Sequence, residues 1–166
     1  MKKEEKTNVM RVLEAKKITY ASHSYEQDPT LTGEQIAGIL GEDPAHVFKT
    51  LVTQGKSGQY YVFAIPVAAE LDLKKAAKVA GEKSIDMIKQ KELLPLTGYI
   101  RGGCSPIGMK KPLPTWFHES IMSYETIYCS AGQRGLQFCI APADIIRAAK
   151  GQLADLIDLR GPNTTN

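Results

Sequence analysis

No stretch of this chain is long and apolar enough to cross a bilayer. The longest apolar run, Tyr60 to Ala69, is broken by Pro66 and falls far short of the roughly 20 residues that a membrane-spanning helix needs. Behind the charged start Met1-Lys2-Lys3-Glu4-Glu5-Lys6 there is no apolar h-region, so no secretory signal is expected. Cysteine is scarce. Cys104, Cys129 and Cys139 form an odd set without Cys-x-x-Cys spacing, which fits reduced thiols in a cytoplasmic protein better than a disulfide framework. The histidines His23, His46 and His118 are far apart and lack ligand spacing, so neither a metal nor any other cofactor is expected. Phosphate-binding, dinucleotide, zinc-protease and serine-hydrolase signatures are all missing. The net charge of +3 is mild; a dedicated duplex binder carries a stronger basic footprint, and no DNA or membrane partner is expected. Transient contact with an RNA backbone is compatible with that charge.

What is present is ordinary globular material, 43% hydrophobic and 23% charged over 166 residues, enough for one domain with its own core. Residues 1–160 are expected to form that domain, and the polar 161–166 a flexible tail. The apolar spacing of Val9, Met10, Val12 and Leu13 predicts a helix over residues 3–17. A strand is expected over Ile18–Tyr25, then a turn at Gln27-Asp28-Pro29. Thr32 and Gln35 make a capping box for a helix ending at Gly41, and Asp43-Pro44 predicts one further helical turn. Val47–Gln54 and Gln59–Val67 flank Gly55-Lys56-Ser57-Gly58 as a hairpin. Asp72 caps a lysine-rich helix running to Val79 and stopped by Gly81, and Ser84 is read as starting another helix across Ile85 and Ile88. Strands are expected near Gly98–Arg101, Thr115–His118, Thr126–Ser130 and Leu136–Ala141. A last helix opens at Pro142, and Leu153–Leu159 reads as a strand or a short helix. Helices interspersed with closely linked strands favour a mixed sheet in an α+β fold over an all-parallel one.

One residue breaks this pattern informatively. Lys49 interrupts the apolar strand Val47-Phe48-Lys49-Thr50-Leu51-Val52. An ammonium there must desolvate, snorkel to an edge, or meet an anionic or carbonyl-rich ligand. Two glycine-rich segments adjoin predicted strands, Gly102-Gly103-Cys104-Ser105-Pro106-Ile107-Gly108 and Ser130-Ala131-Gly132-Gln133-Arg134-Gly135. Each reads equally as a plain turn or as a wall exposing main-chain groups to a ligand. Tyr25, at the end of the first strand, is either an interface or a core aromatic. Cys104 sits in a loop with no base specified by spacing, so no protein nucleophile is assigned. The clusters Lys74-Lys75-Lys78 and Lys110-Lys111 are solvated lysines or phosphate contacts.

Taken together, Val47-Phe48-Lys49-Thr50-Leu51, Leu71-Asp72-Leu73-Lys74-Lys75, Gly102-x-x-Ser105-Pro106-x-Gly108-x-Lys110-Lys111 and Ser130-x-Gly132-x-Arg134-Gly135-Leu136 resemble the YbaK/EbsC family of aminoacyl-tRNA deacylases. These are freestanding relatives of the editing domain in bacterial prolyl-tRNA synthetase, and the likeness runs from about Val9 to Arg160. The resemblance implies a mixed, strongly curved, barrel-like sheet surrounded by helices. It implies hydrolysis of mischarged Cys-tRNA(Pro), with Cys-tRNA(Cys) as a further substrate and prolyl-tRNA synthetase as a partner. Carried over by position, Lys49 is the essential lysine; Gly102, Gly103, Ser105 and Pro106 form the substrate loop. Tyr25 and Ser130 are pocket residues, and Gly132 and Arg134 belong to the adjoining turn. Some relatives carry Asp where this chain has Gln137, so a carboxylate contact to the substrate amine is in question there. The implied chemistry uses the substrate's own thiol, which attacks its carbonyl to give a thiolactone and free tRNA. The rival readings are an Ala-tRNA(Pro) deacylase that positions a water, and a non-catalytic RNA- or protein-binding module.

Overall fold

The computed structural model describes residues 7–25 and 30–158. Eight strands and five α-helices follow one another in the order α1 (Asn8–Ala15), β1 (Ala21–Ser24), α2 (Gly33–Ile39), β2 (Phe48–Gly55), β3 (Tyr60–Pro66), α3 (Leu73–Ala80), β4 (Ile85–Met87), α4 (Gln90–Thr97), β5 (Thr115–His118), β6 (Ile127–Gln133), β7 (Leu136–Ile140), α5 (Pro142–Ala149) and β8 (Gln152–Ala154). Local chemistry explains most of the boundaries. Thr7 accepts the Met10 N–H to start α1. Thr32 and Gln35 make both bonds of the capping box at the start of α2. Asp43 caps a single 3₁₀ turn over Pro44–His46. Gly81, in the left-handed region at φ 75°, ends α3, where a residue with a Cβ would be strained.

The expected single barrel-like sheet is not formed. The strands divide into an antiparallel sheet ordered β1-β7-β6 and a mixed sheet ordered β4-β2-β3-β5-β8. One parallel bridge, Val47 to Tyr128, joins them. The reason lies in Val47, which closes the 3₁₀ turn by donating to Pro44 and whose carbonyl already accepts the Val67 N–H at 2.8 Å. With both of its backbone groups engaged elsewhere, Val47 has none left to extend a ladder with β6, and among the described residues the bridge stands alone.

Each sheet buries its own set of side chains. Val9, Met10 and Leu13 of α1 pack with Phe138, Ile140, Ile127 and Ile145 beneath the three-stranded sheet, and Phe48, Ala64 and Phe117 join them from the larger one. On the other face of that larger sheet, Ala76 and Ala77 of α3 cover Tyr61, Phe63, Ile65 and Trp116; the Phe63 and Trp116 rings stack at 5.6 Å. No helix among the described residues is long and apolar enough to cross a membrane.

Four local readings change. The segment after Ser84 is not a helix: Ile85–Met87 pairs as a strand with Thr53–Gly55, burying Ile85 at the sheet margin. The helix begins later, at Gln90, where the Glu92 carboxylate accepts the Lys89 N–H at 2.8 Å. Gly98–Arg101 forms no strand, because Gly98 closes α4 at φ 85° and the buried Tyr99 then anchors a loop by donating to the Ile107 carbonyl at 2.5 Å. The expected strand Ile18–Tyr25 shrinks to Ala21–Ser24, and Leu153–Leu159 supplies β8 plus a bridge from Leu71 to Ile157. The expected start of the first helix before Thr7, the turn at Gln27-Asp28-Pro29 and the tail 161–166 lie outside the described residues.

Asp72 Oδ1 accepts the N–H groups of Lys74 and Lys75 at 3.0 and 3.1 Å, satisfying two otherwise unpaired donors at the start of α3. Asp72→Ala should cost about 1 kcal/mol, a fall in Tm of about 2–4 °C measured by thermal unfolding, without altering the site described below.

Candidate functional site

Where the sheets part they leave a cleft of about 1160 Å³. One wall is β2. Strand geometry sends alternate side chains to opposite faces, so Lys49 shares its face with Leu51 and, across the ladder, with Ile65. The Lys49 side chain is half-buried and lines the cleft. Burial pulls its pKa below the ordinary lysine value, against the opposing attraction of Glu70 and Glu34, which also line the cleft. No described carboxylate stands within 4 Å of the ammonium. The adjacent Thr50, whose side chain takes the opposite face of the strand, also lines the cleft, and its buried Oγ1 makes no hydrogen bond to a described residue.

The opposite wall is made by two loops fastened to each other. Arg134 Nε donates to the Arg101 carbonyl at 2.7 Å. Gly102, at φ 85°, lies so near that an added Cβ would stand 3.2 Å from Arg134 Nε. Gly103 is tighter still: a Cβ there would meet the backbone of Gln133 and Arg134 at 2.9–3.0 Å. Between Ser130 and Gln133 the β6–β7 register shifts, and Ser130 Oγ accepts the Gly132 N–H at 3.2 Å, leaving the hydroxyl proton free to donate. The Tyr25 N–H donates to the Gly135 carbonyl at 2.8 Å, holding the end of β1 against the same turn.

The expected site residues therefore divide. Tyr25, Lys49, Gly102, Ser130 and Arg134 are brought together around the cleft. Gly103, Ser105, Pro106 and Gly132 do not line it. Ser105 and Pro106 are buried behind the wall, with Ser105 Oγ accepting the Ile107 N–H at 3.4 Å. Gly103 and Gly132 pack against neighbouring segments there, at Gln133–Arg134 and at Val9 and Tyr99 respectively. Glu34, Glu70 and Thr50 were missed, since a first-turn glutamate, a loop glutamate and a strand threonine carry no signal until the fold converges them.

Gln137 also lines the cleft although it is buried. With its amide nitrogen turned to Glu42 it donates to Oε1 at 3.1 Å and contacts Oε2 as well. Burial raises the Glu42 pKa, with the Gln137 bond and the charge of His23 working the other way. The position in question thus carries a neutral amide with a carboxylate behind it.

Chemically the cleft has charge and hydrogen-bonding atoms but, among the described residues, no assembled nucleophile. No described histidine lines it. His118 is turned into the fold, its Nδ1 accepting the Leu156 N–H at 3.2 Å. Cys104 does line the cleft, yet burial pushes its thiol up to about 12, so it is protonated at neutral pH and a poor nucleophile.

The cleft thus sets a half-buried lysine and two fastened glycine turns around one opening. The chain belongs to the aminoacyl-tRNA editing domain family, which matches residues 27–148. A protein of Enterococcus faecalis provisionally named Cys-tRNA(Pro)/Cys-tRNA(Cys) deacylase EbsC is 44% identical over 156 residues, covering 93% of this chain and 95% of that one. Among solved structures, one provisionally described as a trans-editing enzyme for prolyl-tRNA synthetase superposes with a TM-score of 0.78 at 26% identity, covering 91% of this chain and 95% of the other. The hypothetical protein APE2540 shares the fold, with a TM-score of 0.83 at 23% identity over 92% of this chain and 100% of its own.

Gly103→Ala should force the two loops apart and lower deacylation of a mischarged tRNA by up to about 100-fold, the scale expected when reacting atoms are displaced by an ångström. Cys104→Ser should change the rate less than about twofold, because a thiol held protonated supplies no attacking group.

Proposed function

We propose that the protein is a trans-editing hydrolase that removes cysteine from Cys-tRNA(Pro), and from Cys-tRNA(Cys) as a second substrate. The observation that carries this reading is the half-buried Lys49 ammonium in a cleft whose described residues include no activated nucleophile. An aminoacyl ester is already reactive, so the protein need only hold it and stabilise charge on its carbonyl oxygen. A cysteinyl substrate brings its own nucleophile. Its sulfur attacks the carbonyl carbon, the bond to the terminal ribose oxygen breaks, and that oxygen takes up the thiol proton. The products are a cyclic thiolactone and free tRNA. Water then opens the thiolactone to cysteine.

Lys49 is the catalytic residue in this scheme, donating to the ester region through a charged hydrogen bond. Tyr25, Ser130 and the Gly102 main chain bind and orient the aminoacyl end, and Arg134 holds the opposing loop in place. The buried Gly103, Ser105, Pro106 and Gly132 support that loop from behind. A complex with prolyl-tRNA synthetase would supply the tRNA selectivity that a compact domain without an added RNA-binding module lacks.

The test compares Cys-, Ala- and Ser-charged tRNA(Pro) side by side. Cysteine should be released fastest and through a trappable thiolactone, and serine much more slowly because its hydroxyl is the poorer nucleophile. Rapid release of free alanine would instead indicate an attacking water and overturn the thiol-assisted scheme.

Lys49→Met should reduce deacylation by at least about 100-fold, the scale of losing one charge-stabilising donor. It should leave Tm unchanged or higher, since it removes a charge that folding desolvates. The folded pKa is depressed, so below it both states are protonated and the penalty is fully present. Stability should rise as pH climbs from the folded towards the unfolded value. Activity should fall over that same interval as the ammonium is lost, which a pH–rate profile reads directly.

A further inference from the structure

Beside the Lys49 cleft, over the edge strand β4, lies a second hollow of about 710 Å³. Met87, Ile88 and Lys89 line both, so the two hollows adjoin along these residues and together make a trough-like surface. Three ammonium groups border its outer part: Lys56 on the β2–β3 turn, Lys89 just before α4, and Lys91 in the first turn of α4. Two carboxylates share the hollow, Asp86 and Glu92, but that of Glu92 is engaged by the Lys89 N–H.

None of the three lysines forms an ion pair with a described residue. The contrast is with Lys75 of α3, whose ammonium donates to Asp155 at 2.8 Å and to the Ile157 carbonyl at 2.9 Å. The frame beneath the trough is fixed by the β2–β4 ladder, by the Lys56 N–H on the Ser84 carbonyl at 3.0 Å and by the Ile88 N–H on the Val52 carbonyl at 3.3 Å.

We propose that this trough carries the phosphodiester backbone of the tRNA 3′ strand as it leaves the cleft, with Lys56, Lys89 and Lys91 as its phosphate contacts. The inference rests on the deacylase reading, because an ester seated at Lys49 is attached to the terminal ribose and its polyanionic strand must leave by an opening. A groove edged with unpaired cations on a rigid floor is how sequence-tolerant single-strand sites follow a backbone. The sequence clusters Lys74-Lys75-Lys78 and Lys110-Lys111 are not part of this trough.

The decisive variant is Lys56→Ala/Lys91→Ala, since neither residue lines the Lys49 cleft. Two substrates are compared: full Cys-tRNA(Pro), and the cysteinyl ester of adenosine, which has no phosphodiester. KM for the tRNA should rise about tenfold at low salt, and the slope of log affinity against log salt should become shallower by about 1.4, two contacts at about 0.7 each. kcat, and all parameters for the adenosine ester, should be unchanged. An unaltered KM and salt slope for tRNA, or an equal loss on both substrates, would overturn the trough. Binding of uncharged tRNA, measured in parallel, separates this inference from the functional one. If the wild type binds tRNA through Lys56 and Lys91 yet cleaves neither ester, the trough stands and the deacylase reading fails.

Discussion

The position of Val47 constrains everything that follows from this fold. It is the last residue of a capped turn, a backbone partner of the β3 end, and the single bridge to the other sheet. Two residues later comes Lys49, on a strand that β3 fixes along its length and β4 fixes beyond Val52. The Val47–Tyr128 bridge joins the two sheets, and close to it Lys49 lines the cleft together with residues of both. Its ammonium is partly stripped of water by the apolar wall of β2 and is not closed off by an ion pair. A charge in that condition stabilises whatever negative charge develops beside it more strongly than the same charge in water.

The opposite wall depends on close backbone approach rather than on charge. Gly103 lets its loop lie against Gln133 and Arg134 at a separation no side chain would tolerate, and the Arg134 to Arg101 bond locks that contact. Behind it the Tyr99 hydroxyl and the Asn8 amide hold the carbonyls of Ile107 and Gly108. The glycines of the two turns therefore divide the labour: Gly102 faces the cleft, while Gly103 and Gly132 fit loop to loop and loop to α1. A site built in this way presents little of its own reactivity, which suits a substrate whose bond is already activated.

The outer trough extends the same logic. Edge strands expose unpaired backbone and are commonly guarded by charge. Here the guarding lysines also continue the line of the cleft, so one feature serves both to discourage edge pairing and to meet a polyanion.

Much of this was legible in the sequence because it was local. The capping box at Thr32, the Asp72 cap, the Gly81 stop and the hairpin around Gly55–Gly58 depend on residues a few positions apart, and all stand where their chemistry put them. Lys49 announced itself as a charge in an apolar strand. The sequence misread Ile85–Met87, where pairing with β2 overrode a helical reading, and Gly98–Arg101, where a buried tyrosine holds an irregular loop. It could not separate the lining glycine from the supporting ones, since a turn that exposes backbone to a ligand and one that admits a neighbouring loop look alike in one dimension. Nor could it gather Thr50, Glu34, Glu70 and Gln137 at one opening, or show two sheets where one barrel was expected. Residue type determined which groups can carry charge, cap a helix or turn left-handed; pairing between distant strands alone decided which of them share a space, because convergence depends on contacts that no local spacing encodes.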